Sequence, residues 1–216
     1  MSGDTRYETA IKIYDEGKGS WGVGAKTKTA FIASGDNSKF ADSLSVSPYL
    51  YAAKSPLFLV DSNSVTGLSA SVLQRIKSGG FDRVVIVGGT ASVPESVEKQ
   101  LKRLGITFER WAGENRYETS QVIAQHGIDE GVLSATEIGV ATGLKPWDAL
   151  AAGPLLGLQK NPMVLMDEGG LGAASEDGIL SKNSKVIEGI SFFGGTASVP
   201  QSVRDAATKA AGLESA

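Results

Sequence analysis

Apolar residues along the chain fall into short unbroken runs, separated by longer stretches of helical spacing. Pro56-Leu57-Phe58-Leu59-Val60 and Val84-Val85-Ile86-Val87 contain no polar residue. Runs this short, without alternation, predict strands buried on both faces. Thr29 to Ala33 predicts another strand, ending at Ser34-Gly35-Asp36, and Thr107 to Trp111 a fourth. Between them the spacing predicts helices from Thr5 to Glu16, Phe40 to Lys54, Ser69 to Ser78 and 93–104, with Gly17 and Gly105 as stop signals. Thr5-Arg6-Tyr7-Glu8 has the form of a capping box, in which the hydroxyl and the carboxylate each accept a free N–H of the first turn. Asn115 and Glu118 repeat it, Ser92-Val93-Pro94-Glu95 is a second box, and Ser198 to Gln201 repeats that one with Gln.

The pattern occurs twice. Gly88 to Pro94 is identical, residue for residue, to Gly194 to Pro200, 106 positions on. Arg6-Tyr7-Glu8-Thr9 returns as Arg116-Tyr117-Glu118-Thr119, and Ala33-Ser34-Gly35 as Ala141-Thr142-Gly143. Asp42-Ser43-Leu44 returns as Asp148-Ala149-Leu150, and Pro56 to Val60 as Pro162 to Met166. The offset falls from 110 through 108 to 106, so the length changes lie in loops and the elements keep their lengths. The chain therefore reads as two tandem copies, 1–112 and 113–216, each long enough for its own core.

Each copy alternates helix and strand four times. Strands separated by single helices lie parallel with right-handed crossovers. The expected fold class is therefore α/β, as two tandem Rossmann-like, doubly wound parallel-sheet modules. Such sheets bind ligands at the carboxyl ends of their strands. Those ends carry Ser34-Gly35-Asp36, Asp61-Ser62-Asn63 and Gly88-Gly89-Thr90 in copy one; in copy two they carry Thr142-Gly143, Asp167-Glu168 and Gly194-Gly195-Thr196.

Composition narrows the chemistry. A formal charge of −3 argues against nucleic acid or an anionic bilayer as partner. No apolar run is long enough to span a bilayer. With no cysteine and a single histidine, His126, nitrogen or sulfur metal sites and Cys–His catalysis have no basis. His126 has a glutamate, Glu16, as its counterpart, so a structural role at a helix end is expected. Met1-Ser2-Gly3-Asp4 lacks the features of a signal peptide, and both ends are expected to belong to a longer chain.

Individual motifs are weaker. Gly88-Gly89-Thr90 between strand and helix suits either a phosphate held by backbone N–H groups or a tight turn. Gly19 to Thr27 resembles a P-loop in letters, but it follows a helix and precedes a strand, so it reads as a loop. Arg6 and Arg116 lie in first helical turns, where a cation opposes the dipole and calls for an acid or an anionic ligand to offset it. Asp42 and Asp148 lie in otherwise apolar helices, where capping or pairing with arginine is the expected role. No catalytic residue, metal site or cofactor is expected.

The ordered set Arg-Tyr-Glu-Thr, Ala-Ser-Gly with downstream Asp-Ser-Leu, Pro-Leu-Phe-Leu-Val and Val-Gly-Gly-Thr-Ala-Ser-Val-Pro resembles the cell wall binding repeat 2 family of Gram-positive surface proteins. The resemblance covers essentially the whole chain, twice. It implies Rossmann- or toprim-like modules, commonly three in tandem packed as a pseudo-trimer. It also implies a secreted protein held without covalent bonds at the cell wall by an anionic secondary polysaccharide or teichoic-acid-like polymer. Two copies rather than three leave either a missing third module or self-association to complete the assembly. Candidate polymer-binding residues, which alternatively serve packing between modules, are Arg6, Ser34, Gly35, Gly88, Gly89, Thr90, Arg116, Thr142, Gly143, Gly194, Gly195 and Thr196. A wall-associated enzyme of the amidase type and a protein-binding surface domain are the alternatives.

Overall fold

A computed structural model gives the fold and describes residues 1–167 and 178–213. The apolar runs are its strands. The first half is ordered α1 (Arg6–Glu16), β1 (Thr29–Ser34), α2 (Phe40–Ala53), β2 (Leu57–Val60), α3 (Ala70–Ser78), β3 (Arg83–Val87), α4 (Glu95–Arg103) and β4 (Phe108–Trp111). The second half is ordered α5 (Arg116–Asp129), β5 (Glu137–Thr142), α6 (Trp147–Gln159), β6 (Met163–Met166), α7 (Ile179–Lys182), β7 (Gly189–Phe193) and α8 (Gln201–Ala210). Contacts divide the chain into two units, 1–43 with 53–111, and 44–52 with 112–216.

The first unit's sheet has the order β2-β1-β3-β4, the second's β6-β5-β7, and every pairing is parallel. The chain leaves β1 toward β2 and later leaves β3 in the opposite direction, so the sheet is doubly wound. Right-handed crossovers then put α3 and α4 on the same face. Ile32, Phe58, Val84 and Ile86 face a core closed by Tyr14, Val72, Ile76, Val97 and Leu101. The alternate residues Phe31, Val85 and Trp111 are also fully buried, with Phe31 and Trp111 edge to face at 5.4 Å. Burial on both faces accounts for the missing alternation, and each such side chain contributes about 1.5–3 kcal/mol. In the second unit Ile138, Val140, Val164 and Met166 face Val199, Val203 and Ala207, while Leu156 of α6 packs on Gly139 from the opposite side.

The first-turn boxes form. Thr5 Oγ1 accepts from Glu8 N at 3.2 Å, and Glu8 accepts from Asp4 N at 2.9 Å. Asn115 Oδ1 accepts from both Tyr117 N and Glu118 N. The boxes expected at Ser92 and Ser198 do not form. Pro94 and Pro200 are the N-caps and make no side-chain cap bond. Pro94 is extended, with ψ 153°, so Ser92 stands two residues too early to cap. Its N–H instead closes a turn on Gly89 O at 2.9 Å.

His126 lies within α5, which continues past Gly127 to Asp129. Residues 17–28 connect α1 to β1 without forming a helix, as a loop reading requires. Three strands of the second sheet fall among the described residues; the fourth, expected 106 positions after β4, falls on 214–216, outside them. Glu168 also lies outside the described residues.

Candidate functional site

A doubly wound sheet opens a crevice where its strand order reverses. In the first unit that point lies between the carboxyl ends of β1 and β3, and in the second between those of β5 and β7. The chain's own side chains build much of each crevice.

Arg6, in the first turn of α1, reaches the end of β1. Its Nη1 donates to Gly35 O at 2.6 Å and to Asn37 Oδ1 at 2.7 Å. Arg116 Nη1 donates to Gly143 O at 2.6 Å, the same bond in the second unit. For Arg6 a main-chain carbonyl and an amide oxygen thus meet the cation at the helix start, where the sequence suggested an acid or a ligand. The carbonyl is available because the strand has ended and its ladder no longer uses it. Arg6 is exposed, and among the described residues both of its bonds come from Nη1, which leaves Nε and Nη2 as donors at the rim.

Tyr7 and Tyr117 lie against the same glycines: a Cβ on Gly35 would come 2.5 Å from Tyr7 Cε1, and one on Gly143 2.7 Å from Tyr117 Cε1. Ser34 Oγ accepts from Asp36 N at 3.1 Å, and Thr142 Oγ1 from Leu144 N at 3.2 Å, so both hydroxyls shape the turn that the arginine holds. In the first unit the Tyr7 hydroxyl donates to Asp36 Oδ1 at 3.4 Å, and Ser62 Oγ donates to Asp36 Oδ2. Burial, then the charges of Asp36 and Asp61, push the Tyr7 phenol above its ordinary pKa. Burial and Asp167 do the same to Tyr117.

The Gly-Gly-Thr loops close the other side. Gly88 and Gly194 have φ of +99° and +110°, a region that side chains rarely enter. Close approach adds to the requirement: a Cβ on Gly88 would fall on the carboxylate of Asp42, and one on Gly194 would lie 2.6 Å from Asp148 Oδ2. Asp42, in the first turn of α2, is only 5% exposed. Gly89 and Gly195 have open space where a side chain would be, and Thr90 and Thr196 are exposed.

Two further arginines belong to these loops. Arg110 of β4 donates from Nη1 to Gly88 O at 2.5 Å and from Nη2 to Val93 O at 3.1 Å, and pairs through Nε with Glu98 at 2.6 Å. Arg204 of α8 donates to Gly194 O at 2.7 Å and Val199 O at 3.0 Å. The two are not repeat equivalents: 106 positions before Arg204 stands Glu98, and 106 after Arg110 stands Ala216. That exchange of charge between the copies was the one signal in the sequence.

Within each unit, then, the candidate residues gather at one end of the sheet. Arg6 joins Ser34 and Gly35, and Arg116 joins Thr142 and Gly143, while Gly88-Gly89-Thr90 and Gly194-Gly195-Thr196 form the neighbouring loops. The first turns of α4 and α8 have no side-chain cap, so N–H donors add to the guanidinium groups there. Fixed donors of this kind suit anionic oxygen. Among the described residues, no group of three His, Asp or Glu side chains is placed to hold a metal ion. No helix among them is long and apolar enough to cross a membrane.

Comparisons with known proteins agree in their direction. The family model for cell wall binding domain 2 matches residues 1–98 and 110–204. The chain is 30% identical over 204 residues to the N-acetylmuramoyl-L-alanine amidase LytC of Bacillus subtilis (strain 168), a match that covers 94% of this chain and 37% of that protein. Cwp6 from Clostridium difficile has the same fold, with a TM-score of 0.80 at 22% identity over 96% of this chain and 31% of its own. Cwp8 from the same organism gives 0.76 at 24% identity over 96% and 33%. The chain thus spans about a third of the length of each of these proteins.

Proposed function

Because the chain belongs to the cell wall binding domain 2 family, a family of wall-binding modules found at the cell wall or surface, we propose that it holds a secreted protein at the wall by binding an anionic secondary polysaccharide or teichoic-acid-like polymer. It does so without covalent bonds and without catalysis, through the tandem sequence copies 1–112 and 113–216. The observation that carries this reading is the recurrence of one device in both units: an arginine tied to the carbonyl at the end of the first strand, beside an uncapped helix start. Arg6 is positioned by Gly35 O and keeps two nitrogens for a ligand at the rim. Repeated weak sites on a repeating polymer gain strength through effective concentration. Leu150, Leu155 and Leu158 are exposed on α6, whereas Leu44 and Tyr49 at the matching positions of α2 are buried. A further module or a second copy of the chain is the proposed cover for the Leu155 and Leu158 end of that face, away from the helix start at Trp147.

The test is retention on purified sacculi. Arg6→Ala and Arg116→Ala together are expected to abolish retention while leaving the circular dichroism spectrum of the fold unchanged. Retention equal to the parent chain would remove these residues from the reading.

A further inference from the structure

The two units present different chemistry at equivalent places. At the end of β1 the first unit carries Asp36, bonded by Tyr7 and Ser62, with Asp61 beside it. At the end of β5 the second unit has a loop two residues shorter, and Leu144 and Lys145 follow the glycine, both exposed. Trp147, which opens α6, is 71% exposed, while its counterpart Ala41 is 4% exposed. The fold therefore does not require an aromatic residue there. The Asp148 carboxylate lies against Gly194, which sets the start of α6 beside the open Gly195 and Thr196.

The same contrast holds at the Gly-Gly-Thr loops. Arg110 is neutralised by Glu98. Arg204, over the Phe192 ring at 4.9 Å, grips the two equivalent carbonyls, Gly194 O and Val199 O, with no acid partner among the described residues. The second rim thus combines an exposed indole with exposed Lys145 and with an Arg204 that has no acid partner among the described residues, beside Asp148 and Asp167, whereas the first carries Asp36 and Asp61 with no exposed aromatic side chain at that position. A flat indole offers apolar area at small entropy cost, and fixed cations select charge.

We infer that the units are unequal partners in binding. An anionic sugar unit of the wall polymer docks at the second unit's rim, its ring on Trp147 and its charge met by Lys145 and Arg204. This rests on the wall-binding reading and gives it a location and a ligand chemistry.

The experiment is calorimetric titration of the chain with polymer released from Gram-positive walls by acid. Trp147→Ala is expected to weaken binding about tenfold, as for a truncated aromatic anchor. Lys145→Ala is expected to weaken it several-fold and to flatten its salt dependence. Lys39→Ala, a half-buried cation at the matching position of the first unit, is expected to stay within about twofold. Trp147 and Lys145 are exposed and Lys39 is half-buried, and unchanged melting temperatures exclude loss of fold. Unchanged affinity in Trp147→Ala overturns the inference and leaves the wall-binding reading standing, as does a Lys39→Ala loss equal to that of Lys145→Ala. A change of molar mass by light scattering with polymer affinity intact assigns Trp147 to contact between copies and also overturns it. No binding by the parent chain overturns both readings.

Discussion

Arg204 stands where Glu98 stands in the first copy, yet its guanidinium holds Gly194 O and Val199 O, the carbonyls equivalent to those held by Arg110 from β4. One structural need, a donor for two loop carbonyls, is met from a strand in one unit and from a helix in the other. Arg110→Ala leaves both carbonyls and Glu98 without their donor, so the first unit is expected to lose about 2–3 kcal/mol. Adding Glu98→Arg, the arrangement of the second unit, is expected to restore at least about half of that loss. Denaturant melts of the two variants measure it. No recovery in the double variant would show that the two loops differ in more than the origin of the donor.

Gly88 and Gly194 are restricted twice, by positive φ and by the carboxylates of Asp42 and Asp148. Gly88→Ala is expected to cost about 2–4 kcal/mol, more than the 1 kcal/mol or so typical of a point substitution. Gly89→Ala, with open space and no positive φ, should cost much less. Equal melting temperatures for Gly88→Ala and the parent chain would contradict this account of the loop.

Lys54 and Lys160 end α2 and α6 with φ of 51° and 60°, where a glycine is the usual residue. Their carbonyls accept from Gly22 N at 2.8 Å and Ser134 N at 2.7 Å, which holds the conformation in place. Replacement of either by glycine is expected to raise stability by about 0.5–1 kcal/mol, since relief of the left-handed strain exceeds the entropy added to the unfolded chain. Thermal melts decide the sign.

Asp15 pairs with Arg75 through Nη2 at 2.5 Å and Nε at 2.8 Å, and the guanidinium holds the carboxyl below its ordinary pKa. A depressed folded-state pKa stabilises above the unfolded value, and the contribution fades as pH falls through the folded value. Asp15 is 44% exposed, so solvent screening limits the pair to less than about 1 kcal/mol. Asp15→Asn should therefore lower stability slightly near neutrality and converge with the parent chain in acid. A constant difference down to strongly acidic pH would assign the effect to packing.

The sheets were legible because strands such as Val84 to Val87 are buried on both faces and carry no polar residue. The helix starts were legible where a side chain caps, as at Thr5 and Asn115, and misread at Ser92, where Pro94 moves the cap two residues on. The glycines and arginines of the candidate site were visible through the repeat. What Arg6 binds was not visible, because a carbonyl acceptor belongs to every residue and only the fold selects Gly35. Arg110 was hidden for the same reason, since pairing between β3 and β4 brings it to Gly88 across 22 positions of sequence.

The most direct test of the central claim is co-sedimentation of the chain with Gram-positive sacculi, before and after acid removal of the secondary polymer. Retention on intact sacculi that is lost with the polymer is the predicted result. Retention that survives extraction would contradict it and point to peptidoglycan as the ligand.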